Sequence, residues 1–138
     1  MKKNNSFLVL ITLFGILCSC DSKYTFEDIT MHKTKDVIEI MCNTSIYMSS
    51  QWNIKHFRPV LDMIDTTYKV VNKVMSNSVN DYDYGLFLSF KNGDLVHFYV
   101  VNDRIYTGTL NFDNNKSLES TNKIDLEKLK ELINIEIE

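Results

Sequence analysis

Glycine is scarce in this chain of 138 residues: there are four, and one of them, Gly15, lies in an apolar N-terminal run. Little material remains for a glycine-rich loop that cradles phosphate with backbone N–H groups. The Gly-x-Ser-x-Gly elbow, the His-Glu-x-x-His helix and paired Cys-x-x-Cys are missing as well. None of these compact signatures of catalysis is available, so binding is expected in preference to an enzymatic role. Histidine is limited to His32, His56 and His97, too far apart in sequence to show the ligand-pair spacing of a zinc site. Neither a metal nor a cofactor is expected. Basic charge is also short, with 15 Lys and Arg against 18 Asp and Glu and no basic run. A surface of that sign repels nucleic acid and anionic headgroups.

What is present begins at the N-terminus. Lys2 and Lys3 precede an uncharged, almost wholly apolar run from Phe7 to Leu17. A helix of that run is roughly 16 Å long, whereas a hydrocarbon core of about 30 Å takes around 20 residues to cross. The segment therefore has the proportions of a signal peptide. It ends in Leu17-Cys18-Ser19-Cys20: an aliphatic residue, a loosely specified one, a small one and a cysteine. This resembles the lipobox of bacterial lipoproteins.

The resemblance implies cleavage between Ser19 and Cys20, a diacylglycerol thioether on the Cys20 sulfur, and usually another acyl chain on the new amine. It implies residues 1–19 as signal peptide and 20–23 as lipidated tether, and the length that remains predicts 24–138 as a single small domain. It also implies an address, the bacterial cell envelope, with the lipid in a membrane leaflet that the sequence does not identify. Asp21 resembles the inner-membrane retention signal of enteric bacteria, a rule that varies with the organism. Trimming removes Lys2 and Lys3 and leaves a formal charge of −5. Cys18 leaves with the leader and Cys20 is acylated, so Cys42 has no intramolecular disulfide partner. A buried structural thiol is expected there, with a reactive one as the alternative.

The predicted layout of the domain is α+β, with two N-terminal helices, a three-stranded antiparallel meander and a C-terminal helix. Tyr24–Ile29 reads as a short edge strand. Val37, Ile38, Ile40, Met41 and Met48 recur at helical spacing behind Thr34, which predicts a helix over 34–48. A second helix is predicted over 57–75, with the sole proline, Pro59, in its first turn. Trp52, in the linker between them, reads as a plug over a helix end or as a recognition anchor.

From Tyr84 the period changes to 2 and predicts strands at 84–91, 94–101 and 104–112, joined by turns at Asn92-Gly93 and Asn102-Asp103. The last helix gathers Leu126, Leu129, Leu132 and Ile133 behind an Asp125 cap. Two-residue turns assign Leu86, Leu88, Phe90, Leu95, His97, Tyr99, Tyr106, Leu110 and Phe112 to the core face of the meander. The opposite face then carries Phe87, Val96, Phe98, Val100 and Ile105 among Ser89, Thr107 and Thr109. Five large apolar side chains on a face expected to meet water call for a cover, either an N-terminal helix or a docked partner, and make this the candidate partner-binding patch.

Candidate chemistry is thin. His97 falls mid-strand and reads as a core histidine, His56 and His32 as solvated positions near helix starts, and Asp81 with Asp83 as a polar turn. The expected function is that of a membrane-anchored protein-binding module, inhibitor-like or immunity-like, engaging one envelope or secreted protein. The alternative is a structural or accessory subunit of an envelope assembly. A small envelope hydrolase is a remote third reading that would need His97 or His56.

Overall fold

The computed structural model describes residues 22–44, 52–72, 82–108 and 116–134. Tyr24 opens it with an isolated antiparallel bridge, exchanging two 2.8 Å backbone hydrogen bonds with Tyr68. Helix α1 (Phe26–Thr30) follows at once. The edge strand expected over Tyr24–Ile29 is thus mostly helix, and Thr25 and Asp28 are the cause. They form a capping box, in which Thr25 Oγ1 accepts from the Asp28 N–H while Asp28 Oδ2 accepts from the Thr25 N–H. After a 3-10 turn at Thr34–Asp36 come strands β1 (Val37–Thr44) and β2 (Trp52–Asn53), helix α2 (Arg58–Ile64) and strand β3 (Tyr68–Val71). Strands β4 (Tyr84–Phe90), β5 (Leu95–Val101), β6 (Arg104–Gly108) and β7 (Ser117–Ser120) and helix α3 (Leu126–Asn134) complete the described elements.

All seven strands join one antiparallel sheet in the order β2-β1-β4-β5-β6-β7-β3. This overturns the predicted plan of two N-terminal helices and a three-stranded meander. The segment 34–48 was expected to be helical, yet Val37–Thr44 is a strand lying against β4. Val37, Ile38, Ile40 and Thr44 are β-branched and resist a helical backbone, and an apolar run this short fits either period. The second predicted helix stops at Ile64, and Asp65-Thr66-Thr67 leads into the β-branched run of β3. Pro59 does occupy the first turn of α2. Strand β7 carries one large apolar residue, Leu118, and offered no periodicity to read.

The core lies between the helices and one face of the sheet. Phe26 and Ile29 of α1, Val60, Leu61 and Ile64 of α2, and Leu129 and Ile133 of α3 pack in one buried cluster with Ile40, Leu86, Leu88, Phe90, Phe98, Val100, Ile105 and Leu118. Phe26 stacks on Phe98 with ring centroids 6.1 Å apart, and Tyr68 meets the same ring at 6.0 Å.

The Asn92-Gly93 turn sets which side chains reach that core. Rather than a two-residue loop it is a three-residue one. Phe90 N–H donates to Asp94 O at 3.0 Å, Gly93 N–H donates to Phe90 O at 2.9 Å, and Gly93 sits at φ 92°. The pairs are therefore Ser89 with Leu95, Leu88 with Val96, Phe87 with His97 and Leu86 with Phe98, one residue away from the predicted register. A shift of one residue exchanges the faces of a strand. Here it unites the apolar sides of β4 and β5 under the helices, which a two-residue loop would have split. The second turn keeps the predicted pairing of Val100 with Ile105, and Asn102 takes φ 54°. A Cβ at Gly93 would meet nothing within 4 Å. Gly93→Ala is therefore expected to cost backbone strain only, about 1–2 kcal/mol, measured by urea denaturation.

Candidate functional site

The sheet face turned away from the core helices carries two rows of side chains that cross several strands. Its first row crosses three strands: Met41 pairs with Phe87, and Phe87 with His97. All three are half-buried. The Phe87 and His97 rings meet edge to face at 4.5 Å, and Leu95, two residues before His97, is 57% exposed. A neighbouring row runs from Gly85 through Tyr99, Tyr106 and Glu119 to Lys69. Tyr106 Oη donates to Glu119 Oε2 at 2.7 Å, and Lys69 Nζ lies 3.7 Å from Glu119 Oε1. Burial, followed by the hydrogen bond to Glu119, pushes the Tyr106 phenol up to about 12. Tyr82 packs against Tyr99 at 5.3 Å and forms a small second cluster with Tyr99 and Tyr106.

The predicted patch does not sit on this face as a unit. Phe98, Val100 and Ile105 are 0%, 0% and 1% exposed in the core under the helices, and Val96 packs beside them. Phe87 alone of the five points to the side that carries no helix among the described residues, the helix-free side, because the three-residue turn moves β5 by one position against β4. The same shift takes Leu95, His97 and Tyr99 out of the predicted core face. Leu110, Phe112 and Thr109 lie outside the described residues. So do Ser19 and Cys20, the predicted cleavage and lipidation positions.

Burial holds His97 below its ordinary pKa. A histidine depressed in the fold is protonated more readily once unfolded, so it contributes stability above about pH 6.5 that is lost as pH falls toward the folded value. His97→Gln is expected to flatten the pH dependence of the melting temperature below about pH 6.5. A profile unchanged by that substitution would show that His97 does not carry the effect.

The other sequence candidates are scattered. His56 is exposed in the turn before α2. His32 is not simply solvated: its ring stacks on Phe90 at 4.3 Å and its Nε2 lies 2.7 Å from Asp94 Oδ2, tying the end of α1 to the β4–β5 turn. The hydrogen bond from His32 holds the Asp94 carboxyl below the usual range. Asp83 accepts the Asn102 N–H at 2.6 Å, and Asp81 is outside the described residues. Cys42 is fully buried, its thiol pushed up to about 12 by burial. Trp52 pairs with Cys42 at the sheet edge, half-buried. Among the described residues no group of His, Cys, Asp and Glu could hold a metal ion, and no helix is long and apolar enough to cross a membrane.

The residues that sequence reasoning missed are Met41, Lys69 and Glu119, which belong to strands it did not find. Reading Lys91-Asn92-Gly93 as a three-residue loop with glycine last would have placed Phe87 and His97 on one face. No family model matches the chain, and no curated protein or solved structure matches it either.

Proposed function

We propose that this chain is a lipid-anchored protein of the bacterial cell envelope whose domain binds another protein, in the manner of an inhibitor or immunity protein. The observation that carries the address is Leu17-Cys18-Ser19-Cys20 closing an apolar run of signal-peptide length. The partner is a basic envelope or secreted protein. A mature charge of −5 favours encounter with positive surfaces and disfavours nucleic acid. The helix-free face supports the binding reading, since Phe87, His97 and exposed Leu95 offer apolar and aromatic contact area on the same face as the charged pair of Lys69 and Glu119.

The test is quantitative capture from solubilised envelopes with the wild-type protein and with Phe87→Asp, after confirming that the variant melts within a few degrees of wild type. One basic protein held in stoichiometric amount, weakened by salt and lost with Phe87→Asp, is the expected result. Co-purification with membrane machinery regardless of that substitution would favour a role as an accessory subunit of an envelope assembly.

A further inference from the structure

A second site lies at the end of the domain nearest the anchor. Phe26 and Glu27 of α1, Lys33 just before the 3-10 turn, Thr34 and Lys35 within it, and Asp65 just after α2 line an open cleft of about 420 Å³. That volume is in the range of small-ligand sites. Two ammonium groups and two carboxylates, all on exposed residues, surround it above the buried ring of Phe26. Among the described residues none of the four has an ion-pair partner within 4 Å. The two carboxylates come from different parts of the chain, Glu27 from α1 and Asp65 from the residue just after α2, whereas both lysines lie in the segment between α1 and β1. The lining is thus neutral overall and divided in sign, which suits a ligand that itself carries one charge of each sign.

Position identifies the source of such a ligand. The double hydrogen bond between Tyr24 and Tyr68 pins the chain four residues after Cys20. Four extended residues reach no more than roughly 14 Å. The cleft opens beside Thr25, immediately past the pin, so a lipid on Cys20 holds it within reach of neighbouring headgroups. The net charge of −5 argues against an anionic bilayer surface as the occupant.

We propose that this cleft binds the headgroup of an amine-bearing zwitterionic phospholipid, the phosphate at Lys33, Thr34 and Lys35 and the primary ammonium at Glu27 and Asp65. The inference rests on the lipid-anchor reading. It orients the domain, with the α1 end toward the bilayer, where the anchor alone would leave it free to tumble.

The experiment uses the full acylated protein in vesicles of phosphatidylcholine alone, with added phosphatidylethanolamine, or with added phosphatidylglycerol. Acylation of lysines by an amine-reactive label is read by mass spectrometry, with Lys91 and Lys123 as internal references. Several-fold protection of Lys33 and Lys35 with phosphatidylethanolamine, but not in the other two vesicles, is expected. The double variant Glu27→Gln with Asp65→Asn, at unchanged melting temperature, should lose that discrimination. Equal protection in all three vesicles, or in none, overturns the proposal, as does protection only by soluble phosphoethanolamine added to phosphatidylcholine vesicles. Intact mass on the same sample reports acylation of Cys20 independently, so failure of the anchor is distinguished from failure of the cleft.

Discussion

Phe98→Ala is expected to destabilise the domain by about 3–5 kcal/mol, the range for deleting a fully buried phenylalanine. The ring is 0% exposed and sits at the middle of the sheet, between Phe26 of α1 and Tyr68 of β3. Deleting it removes its own burial and also the surface on which α1 rests. Against a total stability of about 5–15 kcal/mol for a domain of this size, that is a large fraction of the margin. The melting temperature should fall by on the order of 15 °C. Thermal denaturation followed by circular dichroism makes the measurement, and Leu95→Ala is the matched control on the other face of the same strand. Leu95 is 57% exposed, so its truncation should stay within about 0.5 kcal/mol. The two-residue turn would have put Leu95 on the core face and Phe98 on the opposite one. A larger loss for Leu95→Ala than for Phe98→Ala would therefore refute the observed register.

That pair of variants also marks where the sequence was legible and where it was not. The alternation in 84–108 is strong enough to locate β4, β5 and β6, and the Leu126–Ile133 stripe with its Asp125 cap locates α3, in which Asp125 Oδ1 accepts the Lys128 N–H at 3.1 Å. Alternation does not decide between two loop lengths, because Asn92-Gly93 suits both a primed two-residue turn and a three-residue turn ending on glycine. What decides is the helix layer. Only the three-residue turn puts Leu86, Leu88, Phe90, Phe98 and Val100 on one side, and that criterion needed knowledge of what covers the sheet. The same dependence hides β1. Val37-Ile38-Glu39-Ile40 satisfies a helical stripe locally and becomes a strand through its seven-residue register with β4. β7 is a strand because β3 and β6 flank it on both edges, with Ser117, Leu118 and Ser120 buried as a result. The helix-free face, being assembled from six of the strands, could not be drawn before the register was known.

Cys20→Ala is expected to have the largest effect on where the protein resides. Each buried CH₂ of an acyl chain contributes about 0.8 kcal/mol, and one chain alone gives only marginal, reversible attachment. On the proposed anchor, two or three chains on residue 20 would hold the domain on the bilayer through washes with salt and alkali. Without the sulfur no thioether forms, and the resemblance to lipoproteins implies that trimming at Ser19 depends on that acylation. Intact mass should therefore show wild type as residues 20–138 plus its acyl groups, and the variant without acyl mass and with the leader still attached. Cys18→Ala supplies the control. Cys18 occupies the loosely specified place in Leu17-Cys18-Ser19-Cys20 and leaves with the leader, so the mature product should have the wild-type mass. The consequence reaches the fold through Tyr24. With that residue bonded to Tyr68, a lipid on residue 20 would lie four residues from the folded domain, short enough for the charged cleft beside α1 to reach the headgroup layer. A wild-type product carrying a free thiol at position 20, or its leader, would remove the anchor and with it the setting in which both surfaces act.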